Sequence, residues 1–127
     1  MIYGVGIDLV ENERLTKIIA KWNSKFLERV FSEGEIIYCS KHVQSAIHYS
    51  ARFAAKESFL KALGIGLGMG VKLREIEVVH DPNGKPDLML RGEAKAQIEK
   101  RNIEKIYLSL THTRNYATAI VLLEKNK

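Results

Sequence analysis

Cysteine is nearly missing from this chain: Cys39 stands alone among 127 residues. No intrachain disulfide can form, and no cysteine cluster can hold a metal. That usage suits a reducing compartment, so a cytoplasmic location is expected. Long apolar runs are missing too. No stretch approaches the roughly 20 residues that span a bilayer, and the N-terminus has no basic segment followed by an apolar run, so a soluble protein without a membrane partner is expected. Neither a linker nor an internal repeat is visible. His42, His48 and His80 show no metal-ligand spacing with one another or with Cys39, and they read as structural or exposed. Glycines 64, 66, 68 and 70 follow a helix pattern instead of preceding one. They therefore make neither a dinucleotide fingerprint nor a P-loop, and read first as a helix C-cap and loop.

What is present suits one domain over residues 1–127. A hydrophobic content of 46% is enough for a real core. The formal net charge of +5 favours an acidic partner, and nucleic acid, anionic lipid and acidic protein all qualify. Residues 2–10 read as a buried strand whose Gly4 and Gly6 permit close approach of another backbone. From Glu13 to about Arg29, Leu15, Ile18, Ile19, Trp22, Phe26 and Leu27 fall on one helical stripe, with Glu11 or Asn12 near the cap. A shorter helix is expected over 33–41 and a long one from about 44 to 63. Residues 71–80 alternate as a strand. DPNGKP then makes a turn whose Asn83-Gly84 pair signals a hairpin, and DLMLRG resumes the strand. A short helix over 92–101 and two terminal strands, KIYLSLTHT and YATAIVLLE, complete the pattern. The expected class is α+β, a single domain with helices packed on a mainly antiparallel sheet.

Two segments carry the chemistry. In ARFAAKESFLKALGIG, Phe53, Phe59, Leu60 and Leu63 recur near helical spacing and face a core, while Lys56, Glu57 and Lys61 crowd one charged edge. The strand GVGIDLV ends near Asp8, which the fold can bring to Glu57. A carboxylate flanked by two ammonium groups suggests anion chemistry. Glu57 and Lys61 at i, i+4 are equally an ordinary surface ion pair, contributing roughly 0.3–0.5 kcal/mol. Asp8 alone could cap the next helix or accept a hydrogen bond from a turn. His112 reads either as a structural histidine or, with the hydroxyls of Thr111 and Thr113, as part of an anion site. Arg14, Lys21, Lys25 and Arg29 line one side of the first helix, as a solvated face or as a docking surface for an acidic partner.

GVGID near the N-terminus, FAAKESFLK on the central helix and SLTHTRNYATA near the C-terminus occur in order across nearly the whole chain. By these motifs the chain resembles the phosphopantetheinyl transferase superfamily, and within it the small, single-copy holo-acyl-carrier-protein synthase type. The resemblance implies transfer of the phosphopantetheine arm of coenzyme A to a serine of apo acyl carrier protein, in support of fatty acid biosynthesis. It implies magnesium held by Asp8 and Glu57, a hard cation completing its octahedron with water and substrate oxygens. Larger two-copy relatives often carry Asp-x-Glu on the strand, whereas the second position here is Val10, so a water is expected in that place. Lys61 is expected at the phosphate oxygens, offsetting charge as the bond breaks. Lys56 reads as a ligand contact or a solvated lysine. Glu57 or a metal-bound water would take the serine proton, and the water is favoured because a cation-bound carboxylate is a weaker base.

The same resemblance places His112, with Thr111 and Thr113, at a coenzyme A phosphate, and Asn83, Gly84, Lys85 and Pro86 at the adenine pocket. It leaves the Gly64 backbone as a possible close approach to the coenzyme. Arg14 and Arg29 match arginines of a carrier-protein docking helix. Lys21 and Lys25 stand where relatives can carry arginine, keeping the attraction but not the bidentate geometry. The implied assembly is a homotrimer with composite sites: Asp8, Glu57 and Lys61 from one subunit, His112 and the NGKP turn from its neighbour. The competing readings are a small basic nucleic-acid-binding domain and a non-catalytic interaction module. Neither gives Asp8 and Glu57 a role, and neither expects magnesium dependence.

Overall fold

Strand β1 (Ile2–Glu11) lies against the central helix α4 (Ser45–Leu63) at a distance only glycine permits. A Cβ on Gly4 would run into the Ala62 carbonyl, and one on Gly6 into the Ser58 carbonyl. The helix meets this approach with small residues: Ala51, Ala54, Ala55, Ser58 and Ala62 are all buried. Ser58 Oγ donates to the Ala119 carbonyl at 3.0 Å, fastening α4 to the neighbouring strand as well. Gly64, in the left-handed region at φ 77°, ends α4 as a C-cap.

A computed structural model describes residues 1–66 and 69–126. Between β1 and α4 come α1 (Asn12–Trp22), α2 (Ser24–Val30) and α3 (Glu33–Ser40). After α4, a short 3-10 turn (Leu73–Glu75) leads into β2 (Ile76–His80) and β3 (Pro86–Leu90), followed by α5 (Gly92–Lys100), β4 (Ile103–His112) and β5 (Tyr116–Lys125). The strands form an antiparallel three-stranded sheet in the order β1-β5-β4 and a separate β2-β3 hairpin. This is the α+β architecture expected, with two sheets in place of one.

Two boundaries differ from the sequence expectation, while α1 begins where expected, with Glu11 at its N-cap. The stripe over 13–29 is two helices, broken at Asn23, which adopts φ 49°. The expected strand 71–80 begins only at Ile76, because 73–75 close a 3-10 turn. No side-chain hydrogen bond caps α1, and Asn12 instead donates to the carbonyls of Thr113 and Arg114. By contrast α3 starts with a full capping box between Ser32 and Glu35.

The core lies between α4 and the inner face of the three-stranded sheet. Val10, Leu15, Phe31, Tyr49, Phe59, Leu60, Ile76, Val121 and Leu123 are buried there. Each large side chain contributes about 1.5–3 kcal/mol by leaving water. The outer sheet face has no such cover among the described residues. Val5, Ile7, Leu9, Tyr107 and Ile120 are 42–65% exposed, and the register stacks them in rows, Val5 beside Leu122 and Tyr107, Ile7 beside Ile120.

Candidate active site

Because strand residues alternate, the glycines that admit α4 also put Asp8 on the helix side of β1. Register sets Asp8 opposite Ala119, and its carbonyl accepts from Thr118 Oγ1 at 2.7 Å. From α4, one turn beyond Glu57, Lys61 reaches over: its Nζ donates to Asp8 Oδ1 and to the Ile7 carbonyl, both at 3.0 Å. Lys61 therefore pairs with Asp8 across the fold. The i, i+4 pair with Glu57 is not among the ion pairs of the described residues.

Glu57 is half-buried. Its carboxyl is pushed above the ordinary glutamate value, first by burial and then by the negative charge of Asp8, with Lys61 and Arg14 pulling the other way. A half-buried carboxyl that the Asp8 charge makes harder to ionise is a locus that gains from a cation. The hard oxygen donors of Asp8 and Glu57 fit magnesium. Beside Glu57 opens a groove of about 740 Å³ with apolar walls from Phe26, Val30, Phe53, Val71 and Leu73 and with Arg29, Lys72 and Arg74 at its edges.

Lys56 is neither at this site nor solvated, which corrects both readings of it. Its side chain is fully buried, and its Nζ donates to Glu35 Oε1 at 2.7 Å and to the carbonyls of Leu73 at 3.0 Å and Ile76 at 2.5 Å. Burial pushes its ammonium below the ordinary lysine value, against the Glu35 charge that favours ionisation. The reason lies in helix geometry: residues 56 and 57 are 100° apart, so one faces the α3 side and the other the groove.

The other singled-out residues fall in separate places. Gly64 is exposed, with no atom within 4 Å of where a Cβ would stand, one turn past Lys61. Gly68 lies outside the described residues. His112 ends β4 opposite Ala117, two residues further along the sheet than Leu110, which shares the level of Asp8 and Ala119. With two strand spacings between them, the His112 and Asp8 backbones are about 12 Å apart. Thr113 spends its hydroxyl on the turn, accepting from the amides of Asn115 and Tyr116. The Asn83–Pro86 turn is built as the sequence suggests: Asp81 Oδ1 accepts from Asn83 N and Lys85 N at 2.8 Å, and Gly84 takes φ 84°. It opens on a smaller cavity, of about 340 Å³, against Lys105–Leu108.

Arg14, Lys21, Lys25 and Arg29 are exposed, and the break at Asn23 divides them between α1 and α2. Arg14 is close enough to act on the Glu57 carboxyl, and Arg29 edges the groove beside it. Lys21 instead rests over the Trp22 ring at 5.1 Å.

One cluster was not legible from spacing. His42 and His48 stack at 4.0 Å, Tyr38 packs against both and against His80, and the buried Arg52 lies 4.4 Å over the Tyr38 ring. Burial pushes His48 below the ordinary histidine value, helped by the charges of His42, Arg52 and His112. His48 and Arg52 at i, i+4 on α4 were the available signal.

An antiparallel α+β fold that gathers two carboxylates and a lysine beside an apolar groove has the architecture of a group-transfer enzyme for an anionic substrate. Residues 4–121 match the family model of the 4'-phosphopantetheinyl transferase superfamily. The chain is 56% identical over 124 residues to the holo-[acyl-carrier-protein] synthase of Syntrophus aciditrophicus, covering 98% of this chain and 97% of that one. Its fold matches the crystal structure of holo-[acyl-carrier-protein] synthase from Neisseria meningitidis with a TM-score of 0.91 at 31% identity, over 98% of this chain and 100% of that one. It also matches the Helicobacter pylori holo-[acyl-carrier-protein] synthase solved in complex with coenzyme A, with a TM-score of 0.83 at 30% identity, over 94% and 99%. This chain belongs to the 4'-phosphopantetheinyl transferase superfamily. No helix among the described residues is long and apolar enough to cross a membrane.

Proposed function

We propose that this chain is a single transferase domain over residues 1–127 that moves the phosphopantetheine arm of coenzyme A onto a serine of apo acyl carrier protein, leaving adenosine 3',5'-bisphosphate, in support of fatty acid biosynthesis. The observation that carries this reading is the convergence of Asp8, Glu57 and Lys61 at the end of β1, on a fold shared over its whole length with holo-[acyl-carrier-protein] synthases. Asp8 and Glu57 would hold magnesium, which when bound screens the pyrophosphate and polarises the phosphorus under attack. Lys61, already drawn to the strand end by Asp8, is within reach of phosphate oxygens that enter there and offsets the charge released with the nucleotide. Val10, packed in the core, supplies no third carboxylate, so a water is assigned to that ligand place. With its carboxylate committed to the cation, Glu57 would be a weaker base for the serine proton than a water at the site.

Coenzyme A needs more wall than one chain supplies. His112, with Thr111 and Thr113 at the end of β4, is assigned to a phosphate of the coenzyme, the Asn83–Pro86 turn to its adenine, and the Gly64 backbone to a close approach. The turn lines a different cavity from the Glu57 groove of its own chain, with no residue in common. These groups serve a neighbouring subunit's site in a homotrimer, a reading supported by the exposed apolar rows of Val5, Ile7, Leu9, Tyr107 and Ile120. The carrier protein, which is acidic, docks on Arg14 and Arg29 beside the groove, with Lys21 and Lys25 outside them. A cytoplasmic location fits the lone thiol of Cys39, which is buried and pushed up to about 11 by that burial.

Asp8→Asn and Glu57→Gln each keep the fold and lower transfer by about 100-fold or more at ordinary magnesium, by weakening the cation's hold. Turnover equal to the parent in either variant rejects the ligand assignment.

A further inference from the structure

The hairpin that carries the Asn83–Pro86 turn belongs to neither of the surfaces that flank it. Its two strands form their own sheet, with no ladder to β1-β5-β4. Ile76, Val78 and Leu88 bury its inner face in the apolar core, and a buried polar network at its base ties it to the helical layer as well. Lys56 Nζ, on α4, holds the carbonyls of Leu73 and Ile76 at the point where the chain enters β2. The same ammonium pairs with Glu35, whose Oε2 accepts from Val78 N in the strand and whose Oε1 accepts from Ser32 N at the start of α3. Glu77 extends the network, accepting from Ser32 Oγ at 2.7 Å and pairing with Arg91 at the far end of β3 at 2.8 Å.

We propose that Lys56 is a positioning residue for coenzyme A, setting the angle of the β2-β3 hairpin and hence the place of the Asn83–Pro86 turn at its tip. This rests on the assignment of that turn to the coenzyme. An ammonium with three fixed acceptors specifies direction, as an apolar side chain of similar length does not. The strand from Ile76 to the tip spans about 17 Å, so a tilt of about 4° at the base moves the turn by roughly 1 Å. Displacements of that size are enough to weaken a ligand's alignment severely. Lys56 thus acts through the hairpin, without touching the coenzyme, on the nucleotide end of the ligand held at the neighbouring subunit's site.

The test is steady-state kinetics, well below the melting temperature, on Lys56→Met combined with Glu35→Gln. That pair of changes leaves no unpaired buried ion. Asn83→Ala with Lys85→Ala serves as the direct probe of the turn. The expected result is a KM for coenzyme A raised about tenfold in the network variant, with the KM for apo carrier protein changed less than about twofold and an unchanged far-UV spectrum. Three outcomes overturn the proposal. A normal KM for coenzyme A in the network variant but a raised one in the turn variant leaves the turn assignment standing and removes Lys56 from it. Normal values in both remove the turn assignment and the proposal with it. Equal rises in both Michaelis constants of the network variant mark Lys56 as a general structural residue.

Discussion

Glu57 occupies a position that favours function over stability. Burial and the Asp8 charge raise its carboxyl above the ordinary value. Between that ordinary value and the raised one, the folded chain holds a proton that the unfolded chain has released. Stability therefore falls as pH rises through this window. Glu57→Gln cannot ionise and escapes the fall, so thermal unfolding at neutral pH should give a higher Tm than the parent, with the two converging in acid where Glu57 is protonated. A lower Tm at neutral pH contradicts the assigned environment. At this scale the sequence was only half readable. Asp8, Glu57 and Lys61 are neighbours as the motifs implied, because strand alternation and a helical turn dictate it. Lys56 misled, because its carrier helix is buried on nearly every side, and only the fold shows that Glu35 waits on the α3 face.

Elements explain which parts of the pattern were legible. Strand β1 and helix α4 announced themselves because two glycines, at 4 and 6, leave room for a helix backbone. Gly6→Ala forces its new methyl against the Ser58 carbonyl, and chemical denaturation should show a loss of about 3 kcal/mol or more. A loss under about 1 kcal/mol would mean that α4 does not sit so close. The break at Asn23 was hidden, because the apolar stripe continues across it from Trp22 to Phe26 and helical periodicity does not register a single left-handed residue. It matters for docking, since Arg14 and Lys21 lie on one helix and Lys25 and Arg29 on the next. Arg14 is close to Glu57 and Lys21 is not tied to the groove. Arg14→Glu should therefore raise the KM for carrier protein about tenfold with little change for coenzyme A, and Lys21→Glu should do less. Equal effects on both substrates would displace the docking face.

Over the whole molecule, the feature that alternation could only partly reveal is the uncovered sheet face. GVGIDLV reads as a buried strand and YATAIVLLE as a strand, yet Val5, Ile7 and Ile120, on their outward face, are exposed among the described residues. An apolar surface of this kind, together with the proposed assignment of the Asn83–Pro86 turn to the coenzyme, is the arrangement expected of a subunit whose sites form between copies. If the proposed trimer forms through this face, Ile7→Glu should give monomers in sedimentation and lower transfer by about 100-fold, while Asp8, one residue along on the other face, keeps its pairing with Lys61. Monomers with full activity would refute the shared site. The most direct measurement remains the reaction itself: intact mass of an apo acyl carrier protein after incubation with this protein and coenzyme A, with magnesium present or chelated. A gain of one phosphopantetheine arm, seen only with magnesium and lost in Glu57→Gln, is the expected result; no gain on any of several carrier proteins would contradict it.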